Sequence, residues 1–338
     1  LSLSARHSLG ARRIACSTPS GSKIAVMHEN KLPYNDYGSV MRCRLGGRVQ
    51  KLAIDAHLGC PHRDSASGTG GCTFCLGEAF TPSYCSSQNS VTEQINSAME
   101  FHAARRRRAD KYLAYFQAGT NTFAPLSTLR ELYSEALAHP QIDGIIVGTR
   151  PDCVSSEIID LLEEFSHRCY VAVEYGVEST SDEILRHVNR GHDYACAVRA
   201  VADTKARGID VGAHFILGLP MQRREDIAEE ITRINALGVD FVKFHQLQVY
   251  RNTPMAREWC DKPERFLFAN GFKLEDYVVM MVDMIRHLDP AIAIERFASQ
   301  APRHLILSSP LGGVRMDVLR ERIVAELRRL GAVQGDLL

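Results

Sequence analysis

Gly144-Ile-Ile-Val-Gly148-Thr-Arg-Pro-Asp152, a stretch of helical spacing over 155–166, and then Tyr170-Val-Ala-Val-Glu174 together decide the fold. Two short, continuously apolar runs flank a segment whose apolar residues recur every three or four positions. Apolar runs of this length suit strands buried on both faces, and a helix between two of them makes a parallel pair. The same unit repeats along the chain. Strands are expected at Val49–Ile54, Tyr112–Gln117, Gly144–Gly148, Tyr170–Glu174, Val211–Leu217 and Phe241–Leu247. Helices are expected at 91–109, 127–138, 155–166, 181–188, 193–207, 223–236 and 274–288. Six such strands with right-handed crossovers curl into an α/β partial (β/α)6 barrel, whose chemistry sits at the C-terminal strand ends. Residues 291–338 break the alternation, carry Pro302 and Pro310, and end in a helix near 316–330; they read as an α-rich C-terminal extension of a core spanning 41–290.

Outward from the first strand lies Cys60-Pro-His-Arg-Asp-Ser-Ala-Ser-Gly-Thr-Gly-Gly-Cys72-Thr-Phe-Cys75. The C-x2-C pair puts two thiolates on one tight turn, and Gly68, Gly70 and Gly71 let the backbone fold closely with positive φ. Three thiolates on a four-iron cluster leave one iron open for a ligand. The loop alone also fits structural zinc with His57 or His62 as fourth ligand, or a redox dithiol.

The chain has 338 residues, 45% hydrophobic and 24% charged, with Lys+Arg and Asp+Glu both 40. Zero formal charge gives no overall field toward nucleic acid or anionic membrane. The ten cysteines are scattered outside the loop, which fits reduced thiols and a cytoplasmic location rather than a secreted disulfide scaffold. No apolar run is long enough to span a bilayer. Residues 1–26, rich in Ser and Arg and without acids, read either as a transit peptide or as sequence ahead of a start at Met27; residues 1–40 are expected to be disordered. The run Arg105–Arg108 reads as a solvated helix end or as a binding patch.

The strand ends carry Gln117-Ala-Gly119, Thr149-Arg150-Pro-Asp152, Glu174 to Ser179, Asn189-Arg190-Gly-His192 and Gly218-Leu-Pro220. Any one is ordinary loop punctuation; together, beside the cysteines, they suit an adenosyl amino acid. Backbone groups near Gly119 meet an amino group, Arg150 or Arg190 forks onto a carboxylate, Glu174 accepts from ribose hydroxyls, and Phe74 lies by an adenine. Cys153 is expected at the barrel mouth, either as a hydrogen-donating thiol or as a small buried hydrophobe.

At these residues the chain resembles the radical S-adenosylmethionine (SAM) superfamily, in particular its YhcC-like proteins, from about residue 34 onward. A looser resemblance is to the radical SAM core of the Elongator catalytic subunit. The usual C-x3-C-x2-C spacing is replaced by eleven residues between Cys60 and Cys72, as in these two subgroups, and the common Gly-Gly-Glu is Gln117-Ala-Gly119 here. The resemblance implies a TIM-like partial barrel in which Cys60, Cys72 and Cys75 bind a [4Fe–4S] cluster. It implies SAM on the open iron, against Phe74, Gln117, Gly119, Arg150, Glu174, Ser179, Arg190, Gly218 and Leu247. It further implies a low-potential electron donor such as flavodoxin or ferredoxin and hydrogen abstraction from a substrate. That substrate is a small molecule, a protein or, by the Elongator-like words, a tRNA; a non-catalytic zinc or iron–sulfur protein is the competing class.

Overall fold

The structure is a computed structural model that describes residues 32–64, 70–79, 81–85, 88–105, 108–269 and 271–338. In chain order the elements are α1 (Tyr37–Leu45), β1 (Val49–Ile54), α2 (Pro61–Asp64), α3 (Val91–Ala104), β2 (Lys111–Phe116), α4 (Leu126–Ala138) and β3 (Ile142–Thr149). Then come α5 (Ser156–Ser166), β4 (Tyr170–Glu178), α6 (Asp182–His187), α7 (Tyr194–Ala206), β5 (Asp210–Leu217), α8 (Asp226–Ala236) and β6 (Phe241–Gln246). The last are β7 (Val249–Tyr250), α9 (Pro254–Asp261), α10 (Leu274–His287), β8 (Ala293–Arg296), β9 (Ile306–Ser308) and α11 (Met316–Leu330).

One sheet runs in the order β1-β2-β3-β4-β5-β6-β8, parallel throughout; β7 and β9 form a separate antiparallel pair. Every crossover steps the same way, so the strand twist accumulates and the sheet curls into a half-barrel. Its two edges meet at mid-height, where Lys51 Nζ of β1 lies 2.5 Å from Glu295 Oε2 of β8. Below that point α1 closes the seam: its N-cap Asp36, whose carboxylate accepts from Ser39 N–H, bridges to Ile294 on β8.

Alternate residues of each strand face the lumen, so steps of two residues climb it. On β2 the steps are Leu113, Tyr115 and then Gln117; on β4, Ala172, Glu174 and Gly176; on β6, Phe241, Lys243 and His245. The first step is an apolar plug completed by Tyr37 and Met41 of α1, the second is charged or hydroxylic, and the third opens into a cavity. The opposite strand faces, such as Leu52, Ile54, Phe116 and Val147, pack under the outer helices. Those helices are amphipathic: α5 buries Ile159, Leu162 and Phe165, and α3 begins with the reciprocal capping box of Ser90 and Glu93. No described helix is long and apolar enough to cross a membrane.

The expected helices and strands recur with small boundary shifts, and several expectations need correction. A seventh parallel strand, β8, lies beyond residue 290, within the segment expected to be an extension. It has only four residues, and two of them are charged, so it carries little apolar signal. Helix α1 starts at Tyr37, inside the segment expected to be disordered; residues 1–31 lie outside the described residues. Helix α3 ends at Ala104, and Arg105 caps it with its guanidinium 3.4 Å from the Phe101 ring centroid; Arg106 and Arg107 lie outside the described residues. Strand β4 runs on to Glu178, because Tyr175 to Glu178 continue to pair with β5.

Candidate active site

A cavity of about 570 Å³ occupies the C-terminal ends of the strands and is lined by Cys60, Cys72 and Cys75. The cysteine loop is built from local turns. Cys60 N–H donates to the Asp64 carboxylate at 2.8 Å, and the Cys60 carbonyl accepts from Arg63 and Asp64 N–H. Cys75 N–H closes a turn onto the Cys72 carbonyl at 3.0 Å. Gly70 and Gly71 take φ of 86° and 79°; Gly68 lies outside the described residues. The loop is pinned to the α6–α7 connection: Thr73 N–H donates to the Val188 carbonyl, Asn189 Nδ2 to the Gly71 carbonyl at 2.8 Å, and His62 Nε2 lies 2.6 Å from the Asn189 carbonyl. Gly119, at φ 76°, faces the start of the loop, and a Cβ there would come within 2.5 Å of the Gly59 carbonyl.

Two guanidinium groups face two of the sulfurs. Arg190 Nη1 lies 3.5 Å from Cys72 Sγ, and Arg63 Nη1 lies 4.0 Å from Cys75 Sγ. Burial nevertheless pushes the Cys75 thiol up to about 11, with the neighbouring Cys72 adding to it and Arg63 opposing. Among the described residues no three Cys, His, Asp or Glu side chains converge as a single ion requires. His57 Nδ1 sits 3.3 Å from Asp55, and His62 Nε2 lies 2.6 Å from the Asn189 carbonyl. Three thiols around a roomy, glycine-backed space suit a multi-iron cluster better than one tetrahedral ion.

Under the cavity lies the charged layer. Glu174, fully buried, meets Lys51 Nζ at 2.7 Å, Lys243 Nζ at 2.5 Å and His214 Nε2 at 2.9 Å. Lys243 also reaches Glu295 at 3.2 Å and Tyr115 Oη at 3.1 Å. Burial alone would raise the Glu174 carboxyl; the Lys243 and Lys51 charges outweigh it and hold the group ionised, well below the usual carboxylate range. Burial lowers Lys243 to about 8 against the pull of Glu174. Two lysines and two carboxylates thus form a charge-balanced layer at the floor of the cavity.

Of the residues expected at the site, Phe74, Gln117, Gly119, Arg150, Glu174, Arg190 and Leu247 line the cavity with the cysteines. Glu174 lines the cavity while its carboxylate also meets three side chains, Lys51 on Oε1 and Lys243 and His214 on Oε2. Arg150 and Arg190 are also engaged. Arg150 forks onto Asp152 at 2.9 and 2.8 Å and donates to the Arg190 carbonyl, which leaves buried Nη1 without a partner among the described residues. Arg190 holds Cys72, the Gly176 carbonyl and, at 3.6 Å, Glu178. Ser179, Gly218 and Cys153 are not brought to the cavity. Ser179 lines a second cavity beside Glu230, because β4 ends by turning toward α8. Gly218 is covered by Phe268, whose ring lies 2.2 Å from where a Cβ would stand. Cys153 closes the turn after β3, its Sγ 3.8 Å from Asp152, and burial pushes its thiol up to about 12. Cys153 is half-buried and close enough to Asp152, Arg150 and Cys60 for their charges to act on its thiol. His214 and His245 stand at strand ends that the sequence marks as polar, whereas Lys51, Arg63, Lys243 and Arg296 join the site without a sequence expectation. A lone lysine inside an apolar strand, as at Lys51 and Lys243, was the signal on hand.

The Radical SAM superfamily model matches residues 58–234, and the Radical_SAM C-terminal domain model matches residues 239–329. The chain belongs to the radical SAM superfamily. It is 37% identical over 275 residues to the protein YhcC of Escherichia coli K12, covering 81% of this chain and 86% of that protein. It is 32% identical over 322 residues to YtqA of Bacillus subtilis, covering 92% of this chain and 96% of that protein. The archaeal Methanocaldococcus infernus Elp3 shares the fold, with a TM-score of 0.64 and 17% identity over 85% of this chain and 64% of that one. The C-terminal match runs across residue 290, as the sheet itself does through β8.

Proposed function

We propose that this radical SAM superfamily chain is an enzyme that binds a [4Fe–4S] cluster and SAM and abstracts hydrogen from a substrate held in the lumen. The observation that carries the reading is the convergence of Cys60, Cys72 and Cys75 on one cavity at the C-terminal ends of the curled sheet. When bound, the cluster and SAM supply a 5′-deoxyadenosyl radical for an unactivated C–H bond. The chain supplies the rest. The cysteines hold the cluster, and the Arg190 and Arg63 guanidinium groups bear on Cys72 and Cys75, easing negative charge on the sulfurs. Backbone groups near Gly119 and Gln117, on the cavity wall, would receive the SAM amino group, and Arg150 Nη1 is the N–H left to meet its carboxylate. Phe74 and Leu247 give the adenine apolar walls. The charged layer and the apolar plug beneath it close the lower end of the lumen, which limits access of bulk water to the cavity from below.

Cluster potentials span roughly −700 to +450 mV, and reductive cleavage needs the low end, so a flavodoxin- or ferredoxin-type donor is the partner this reading assigns. The test is anaerobic reconstitution, followed by SAM and dithionite. Formation of 5′-deoxyadenosine is the expected result; bound SAM with no 5′-deoxyadenosine would overturn the reading.

A further inference from the structure

Most of the charged groups around the cavity are paired with one another. Arg63 is paired with Asp64 at 2.6 Å, Arg150 with Asp152 at 2.8 Å, Arg190 with Glu178 at 3.6 Å, and Lys243 with Glu174 at 2.5 Å. On the β1 side Asp55 is engaged by His57 N–H and the Thr81 hydroxyl. Arg296 differs from these. It ends β8, lines the cavity, is exposed, and has no ion-pair partner among the described residues. Beside it on β6, His245 Nε2 is buried and has no hydrogen-bond partner among the described residues. Burial, reinforced by the His214 and Arg296 charges, keeps this imidazole neutral, so it can present an N–H without adding a charge. The rest of the wall is already satisfied: Gln246 exchanges two hydrogen bonds with the Ser299 backbone, each 2.8 Å. A solvated guanidinium and an unpartnered imidazole Nε2, which donates in its Nε2–H tautomer, on one wall are the complement of an oxyanion.

The geometry points to an oxyanion subsite formed by Arg296 and His245, on the β6–β8 wall of the cavity, that takes a carboxylate or phosphate of the substrate. The inference rests on the proposed function and narrows its substrate to one carrying an anionic group. The sheet order places β8 at the edge opposite β1, from which the cysteine loop springs, so the subsite holds the anion across the seam from the thiols. A substrate anchored there extends its C–H bond over the charged layer and toward the cysteine side. Arg296 is a positioning and specificity residue in this account: it fixes where the substrate lies and takes no part in bond making.

Succinate and inorganic phosphate are the probes. Ligand-observed NMR on the iron-loaded, SAM-saturated protein should show saturable binding of at least one of them, and comparing the two tells a carboxylate site from a phosphate site. Arg296→Gln should weaken that binding by about tenfold, as loss of a charge-assisted contact does. Arg296→Lys, which keeps the charge but loses the fork, should fall between. His245→Asn should weaken it by a smaller factor. Equal binding in wild type and Arg296→Gln, or none in wild type, would overturn the subsite. Equilibrium dialysis of SAM is run beside it. A fall in SAM affinity in Arg296→Gln matching the fall in anion binding would assign Arg296 to the SAM carboxylate and also overturn it. Iron content and SAM binding of the wild type report on the proposed function, so the two readings fail separately.

Discussion

The lower and upper halves of the same lumen are built by the same strands and behave oppositely. Phe241 and His245 lie four residues apart on β6, as Ala172 and Gly176 do on β4. The lower member of each pair packs against Tyr37 or Met41 of α1 in an apolar plug; the upper one faces an open cavity. Between them Glu174 and Lys243 sit back to back with Lys51 and Glu295. The difference teaches that strand geometry alone does not make a site. The strands bring alternate side chains to one space, and the residue at each step decides whether that space is filled, sealed or open.

The largest effect should follow from breaking the sealing layer. Lys243→Met leaves Glu174 and Glu295 short of a buried counter-charge and should cost about 3–5 kcal/mol in denaturant unfolding. Adding Glu174→Gln to Lys243→Met should recover part of that loss; no recovery would mean the layer is not a charge-balanced unit. Next, Met41→Ala opens a hole in the plug and should cost about 2–4 kcal/mol, while the folded variant at low temperature still takes up iron. A Met41→Ala variant that folds but fails to bind iron would show that the two halves are not separable.

In the upper half the effects move from stability to the cofactor. Arg190→Lys loses the directed N–H toward Cys72 and should shift the cluster midpoint potential downward by roughly 40 mV, the equivalent of one hydrogen bond of about 1 kcal/mol. An unmoved potential in an iron-replete variant would separate Arg190 from the cluster. The smallest effect belongs to Cys153. Cys153→Ala should change stability by about 1 kcal/mol or less and leave substrate turnover at the wild-type rate; SAM cleavage that continues while turnover stops would make this thiol catalytic.

The boundary between legible and illegible in the sequence follows the same division. Six of the seven sheet strands announce themselves because short, mostly apolar runs alternate with helical spacing, and the three cysteines because Cys72 and Cys75 keep a C-x2-C spacing. Strand β8 is hidden by its shortness and by Glu295 and Arg296, which serve the lumen rather than the core. Helix α1 is hidden because only Tyr37 and Met41 of its nine residues are buried. That Lys51 and Lys243 meet Glu174 is not legible in the sequence, because it depends on the curl of the sheet. Ser179 and Gly218 follow strands that do reach the cavity, but the direction of the chain after each strand is set by contacts with Glu230 and Phe268, far along the sequence.

The central claim is that Cys60, Cys72 and Cys75 hold one cluster at the open end of this lumen. Iron and acid-labile sulfide per chain, measured after anaerobic reconstitution of the wild type and of Cys72→Ala, test it most directly. The account predicts about four of each in the wild type and a loss of most of both in the variant. Wild-type iron and sulfide in Cys72→Ala, or a colourless wild type that takes up zinc instead, would contradict it.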